Sequence, residues 1–200
     1  MPLSLAFANS GNPPLNTRFV VIALLLIVAV VWLFNALVRM RNQVRVAWSD
    51  VDVQLARRHD LVPMLVEVVK GYASHESALF ERVGAERRAC QLRASPARRS
   101  EPEMALGKDL GQLIAVGEAY PDLKAGENFR QLSTQLVETE NMLQYARRFY
   151  NGSVRQYNTA LERFPALLIA GRLGFDPAEF FAAEDDARAN PQIRLDRTAS

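Results

Sequence analysis

Cysteine is almost absent: among 200 residues only Cys90 carries a thiol, so an intramolecular disulfide framework is impossible and a four-cysteine zinc site is excluded. A lone cysteine suits a reducing compartment. On a helix it reads as a small apolar residue, with only the nearby Arg87 and Arg88 to hint at a stabilised thiolate. Histidine is nearly as scarce. Three residues before His59 stands Ala56, and three before His75 stands Tyr72, so neither completes the Glu-x-x-His pair of di-iron bundles. On one helix the two histidines would sit about 24 Å apart, too far to share a metal. The His59-Asp60 pair has no serine in a recognisable elbow, and no glycine-rich phosphate loop occurs. An excess of one charge is missing too. Lys and Arg number 24 against 22 Asp and Glu, and no nucleic-acid-binding motif is present, so nucleic acid is not an expected partner. These absences leave no catalytic residue, cofactor or metal ligand to nominate, and the chain is expected not to be an enzyme.

What is present begins with oil. From Phe19 to Phe34 the chain reads FVVIALLLIVAVVWLF, and after Asn35 the residues Ala36, Leu37 and Val38 extend the run. About twenty residues at about 1.5 Å each span the roughly 30 Å hydrocarbon core of a bilayer. A cleaved signal peptide is the competing reading. The run exceeds the usual apolar region of such a peptide, Arg18 is the only basic residue before it, and no small-x-small cleavage site follows. Residues 19–38 are therefore expected to form a transmembrane anchor, with Phe19, Leu26 and Phe34 inside the bilayer and Trp32 near an interface. Arg39, Arg41 and Arg45 follow the span with no acid until Asp50, which places the main domain, 39–183, in the cytoplasm and residues 1–18 on the far side. Residues 184–200 read as a loose tail.

Four helical segments follow the span. Val44, Trp48, Val51, Leu55, Val62, Leu65, Val69 and Tyr72 form one stripe at helical spacing, broken only by the charged Arg58. Pro63 inside it predicts a kink, with a fresh start at Asp60 as the alternative. Gly71 suits a left-handed helix end and Ser74 an N-cap, so the chain is expected to reverse there and run helical again to about Arg93. Ser100 and Glu103 spell a capping box for a third helix striped by Leu106, Leu110, Leu113 and Tyr120. The fourth carries Phe129, Leu132, Leu136, Leu143, Ala146, Tyr150, Val154, Tyr157 and Leu161, and stops at Phe164-Pro165. These lengths and short loops predict an all-α fold, a transmembrane helix followed by an antiparallel up-and-down four-helix bundle.

Some residues invite a functional reading. Asp50 and Asp52 fall level with Arg147, Arg148 and Arg155 in that register and are candidates for fixing the pairing of the long helices, against the plainer reading of a solvated face. The stretch FPALLIAGRLGF brings Phe164, Leu167, Leu168, Ile169, Leu173 and Phe175 back to the membrane side, where it either lies on the lipid surface or caps the core. Asp176-Pro177-Ala178-Glu179 reads as the start of a short helix through Phe181. The basic run Arg87, Arg88, Arg93, Arg98 and Arg99 is either a solvated loop end or a contact for anionic lipid. Asn151-Gly152-Ser153 matches a glycosylation acceptor but lies inside a helix, and Gly152 there predicts a close helix approach.

The stretches RNQVRVAWSDVDVQLARRHDLVPMLVEVVKGYASHE (41–76), AVGEAYPDLKAGENFRQL (115–132), ETENMLQYARRFYNGSVRQYN (138–158) and FPALLIAGRLGF (164–175) resemble the LemA family, in the family's order and over most of the chain after the span. The resemblance implies an N-terminal anchor, a cytoplasmic four-helix bundle, no established enzymatic activity and no catalytic residues to transfer. Met64 stands where the family usually has Asn, and Ala166-Leu167 replaces a more polar pair, which makes this copy more apolar at both points. The expected protein is a scaffold or interaction protein of the bacterial inner membrane. Its partners would be the lipid bilayer and other envelope proteins, a homo-oligomer is compatible with it, and the alternative is a lipid-organising or stress-linked role without catalysis.

Overall fold

A computed structural model describes residues 15–91 and 95–181. The expected segment 1–18, apart from residues 15–18, and the expected tail 184–200 lie outside the described residues. Every regular element among the described residues is helical: α1 (Leu15–Lys70), α2 (Ser77–Cys90), α3 (Pro96–Glu118), α4 (Pro121–Ala125), α5 (Glu127–Glu162) and α6 (Ala166–Ile169), with a 3-10 turn at Gly171–Leu173.

α1 is one helix of 56 residues, about 84 Å long at about 1.5 Å per residue. Its first part is apolar on all sides and exposed, with Phe19, Leu26 and Trp32 each more than three-fifths accessible. With a mean hydropathy of 2.9 it is long and apolar enough to cross a membrane. From Leu37 the pattern narrows to a stripe, and Leu37, Val44, Val51, Leu55, Val62, Leu65 and Val69 are buried. The helix passes through Pro63 without the alternative restart at Asp60. Pro63 has no N–H to offer the carbonyl of His59, and Arg87 of α2 supplies the donor instead, its Nε 3.0 Å from that oxygen.

Several local expectations need correction. The chain does reverse after Lys70, but Gly71 is not left-handed; among the described residues Gly174 alone has a positive φ, at 75°. The end of α1 is closed by the N–H groups of Tyr72 and Ala73, which both donate to the Val69 carbonyl. Ser74 caps nothing, since α2 opens at Ser77 behind Glu76. α3 starts at Pro96, where a missing N–H costs nothing in the first turn, so Ser100 and Glu103 are interior residues and form no capping box. Residues 176–181 form no helix. Gly152 faces open space, with nothing within 4 Å of where a Cβ would stand. The close approach is at Gly117 instead, where a Cβ would lie 2.3 Å from the Phe129 ring.

α1 packs chiefly on α5, and α2 on α3. Trp48 of α1 meets Tyr150 of α5 at 5.2 Å between ring centroids; further up α1, Arg58 meets Glu140, further back along α5. The core falls into two clusters. One joins Leu37 to Leu55 of α1, Leu143 to Leu161 of α5, and Ala166, Ala170, Phe175 and Phe181. The other joins Leu61 to Val69 of α1 with α2, α3, Leu123, Phe129 and Leu136. Each fully buried leucine in them, such as Leu55 or Leu113, contributes roughly 1.5–3 kcal/mol. Between the clusters lies a layer that is not apolar.

Candidate functional site

That layer is built on Arg58, the one charged residue in the α1 stripe. It occupies a core position by phase, so folding buries it to 1% exposure, and a buried guanidinium demands acceptors for its fixed fork of donors. α3 supplies them. Arg58 Nη2 donates to the carbonyl of Glu103 at 2.9 Å and pairs with its carboxylate, while Nη1 donates to Glu140 of α5 at 3.0 Å. Glu103 is wholly buried and serves as the hub. His59 Nε2 lies 3.1 Å from its carboxylate, and Arg99, one turn earlier on α3, lies 3.8 Å away while holding Asp52 at 2.7 Å and covering the Trp48 ring. Burial alone would raise the Glu103 carboxyl. The hydrogen bond from His59, the charges of Arg58 and His59, and the hydrogen bond from Arg58 outweigh it and hold the group below its ordinary 4.5.

Cys90, at the end of α2, completes the group. Its sulfur, an imidazole nitrogen of His59 and a carboxylate oxygen of Glu103 all lie within 4.8 Å of one another. Burial, followed by the charge of Glu103, pushes the thiol up to about 12, so at neutral pH it is protonated beside that carboxylate. The cluster thus mixes three ligand types, and Arg58 already engages its carboxylate through Oε2. As it stands, the arrangement locks three helices to one another through ion pairs. Beside it a cleft of about 160 Å³ opens between α3 and α5, kept clear by the side-chain-free Gly107 and Gly111.

The second constellation surrounds the foot of α1, where the chain returns after α5. Asn151 and Asn158 of α5 each hold the strap that follows, residues 176–181, by both backbone groups of a single residue. Asn158 receives the Ala178 N–H and donates to the Ala178 carbonyl, both at 2.9 Å, and Asn151 treats Phe181 the same way at 3.0 and 2.8 Å. Tyr150 donates to the Glu179 carbonyl at 2.7 Å, and burial with the nearby Glu179 charge pushes its hydroxyl up to about 12. Phe181 is thereby seated against Trp48 and under Arg147, and Phe175 against Phe34 and under Arg41.

The residues singled out from the sequence separate accordingly. Phe19, Leu26 and Trp32 are exposed on the apolar part of α1, and Phe34 is at its edge, in contact with Phe175. Among the described residues no ion pair joins Asp50 or Asp52 to Arg147, Arg148 or Arg155. Asp52 goes to Arg99, Arg147 lies over Phe181 and Arg148 over Tyr145. Of the returning stretch, Phe175 is buried and Ile169 half-buried, while Phe164, Leu167, Leu168 and Leu173 are exposed. Arg87 and Arg99 of the basic run point inward; Arg93 lies outside the described residues. Reading the sequence missed the Arg58–Glu103–His59–Cys90 cluster and the two strap-holding asparagines. The signals were an arginine in core phase and two asparagines a heptad apart on one helix.

The model of the LemA family matches residues 47–195. The chain is also similar to the magnetosome protein MamQ of Magnetospirillum gryphiswaldense, 23% identical over 92% of this chain and 79% of the relative. Magnetosome protein MamQ 1 of Paramagnetospirillum magneticum is 24% identical with the same coverage. Protein LemA of Metamycoplasma hominis is 23% identical over 78% of this chain and 72% of its own length.

Proposed function

The chain belongs to the LemA family, and from that premise we propose that it is a single-pass membrane protein whose helical domain acts as a scaffold, without catalysis, for other proteins of the bacterial cell envelope. The observation that carries this reading is the continuity of α1, whose bare apolar part and buried stripe belong to one helix, so an anchor would hand its position directly to the domain. α1 with α5, and α2 with α3, are read as an antiparallel up-and-down four-helix bundle. Arg39, Arg41 and Arg45 against Arg18 support a cytoplasmic domain at the inner membrane, with the N-terminus outside. The surface on offer to a partner includes Met142, Tyr145 and Phe149, which stand exposed at successive turns of α5.

The test is photo-crosslinking in cells from a reactive residue placed at Phe149, with Glu81 of α2 as the control position. A discrete envelope protein captured from position 149 and not from 81 is the expected result. Equal or no capture from both positions, or a full-length chain that washes from membranes in alkaline carbonate, would overturn the proposal.

A further inference from the structure

We propose that residues 164–173 lie in the headgroup layer of the leaflet at which α1 leaves the bilayer, with Phe164, Leu167, Leu168 and Leu173 seated among the lipid acyl chains. The inference rests on the anchored reading of α1 and adds a second point of contact to it. Three observations lead there.

The first is sidedness. Ala166, Ala170 and Phe175 turn inward and are buried, whereas Phe164 is 81% exposed, Leu167 64%, Leu168 63% and Leu173 40%. A segment that merely sealed the core would not set four large apolar side chains toward water.

The second is depth. The buried side of the segment belongs to the same cluster as Leu33, Leu37 and Val38, the last turns of the apolar run, and Met40 just beyond it, and the Phe175 ring meets Phe34 at 5.4 Å between centroids. α6 and the turn after it are therefore level with the end of the span, where hydrocarbon gives way to headgroups. The Gly171–Leu173 turn, closed by the left-handed Gly174, returns the chain inward to Phe175 and so leaves Leu173 on the outer side.

The third is charge. Arg172 is the only charged residue between Phe164 and Phe175, and Arg163 precedes them; both are exposed at the flanks of the apolar face, with Glu162 and Asp176 further out. Two arginines around a shallow apolar face fit an anionic lipid surface. The occupant is thus the lipid of the anchor's own leaflet, already within reach without any diffusing partner.

Full-length chain in lipid vesicles tests this. In a Cys90→Ser background, a small fluorophore is attached at Leu168→Cys, at Leu167→Cys, at Leu26→Cys, or at Glu81→Cys on α2. Each is exposed to lipids carrying a quencher either near the headgroup or deep in the acyl chain. The expected pattern is loss of most fluorescence at 167 and 168 to the shallow quencher, loss at 26 to the deep one, and none at 81. Quenching at 26 with none at 167 and 168 overturns this inference and leaves the anchor intact. No quenching at 26 overturns the anchored reading and this inference with it.

Discussion

Replacing Glu103 by leucine removes the acceptor that neutralises Arg58 in the middle of the core. The guanidinium keeps its bonds to Glu140, whose side chain is 36% exposed, and to the backbone carbonyl of residue 103, but loses the buried carboxylate at a site where its own side chain is 2% exposed. Breaking one side of a buried pair typically costs about 3–5 kcal/mol, because a charge is left without compensation. For a chain of this size each kcal/mol moves the midpoint by about 2–4 °C, so Glu103→Leu is expected to lower it by roughly 6–20 °C. Adding Arg58→Met removes the stranded charge, and the double variant should return to within about 1 kcal/mol of the parent or exceed it. Thermal unfolding of the full chain in detergent, followed by circular dichroism, reads both. A pH series adds a sign. The Glu103 carboxyl sits below its ordinary 4.5, so its stabilising share is complete above that value and is lost as pH falls through the lower folded value. The parent should therefore lose more stability on acidification below 4.5 than the double variant does. If the single variant costs under 1 kcal/mol, or the two substitutions simply add, the charged layer is not a coupled unit and the reasoning fails.

Three further outcomes follow from the packing. Gly117→Ala drives a methyl into the buried Phe129 ring and should cost about 1–3 kcal/mol, with much of that recovered in a Phe129→Leu background; equal costs in both backgrounds would refute the contact. Gly152→Ala fills open space on a helix and should stabilise the chain by about 0.5–1 kcal/mol in the same melts, a loss being the contrary result. Asn158→Ala removes both clamps on Ala178, so hydrogen exchange at the Ala178 amide should accelerate while that of Leu143 in the core stays unchanged.

The long elements are legible in the sequence because each is signalled by many residues at once. The apolar run needs no partner to be recognised, and the stripes on α1 and α5 repeat over several turns, so one misplaced residue does not hide them. Single-residue signals fare worse. Ser100 and Glu103 have the types of a capping box, yet Pro96 starts the helix earlier and Glu103 is drawn into the core by an arginine on another helix. Local spacing contains no trace of that contact. His59, Cys90 and Glu103 come from three helices and meet only after packing. Arg58 was visible as a break in the stripe, but nothing in α1 names what satisfies it. Asn151 carries a second, misleading local pattern with Ser153, whereas its real work, with Asn158, is to hold a strap twenty to thirty residues away in sequence. Proline gave a mixed lesson: Pro63 was seen as a flaw in α1, but its cost is offset by Arg87, a residue the sequence offered only as part of a basic run.

The unbroken course of α1 has a mechanical corollary. Under the proposed anchoring there is no hinge between lipid and domain, so whatever sets the lean of the span also sets the lean of everything above it. The stretch from Arg39 to Lys70 rises about 48 Å, and a tilt of about 20°, ordinary for a single span, swings its tip sideways by about 16 Å. A thicker bilayer would stand the rod upright and a thinner one lay it over, turning a small change in lipid thickness into a large displacement of the outermost turns.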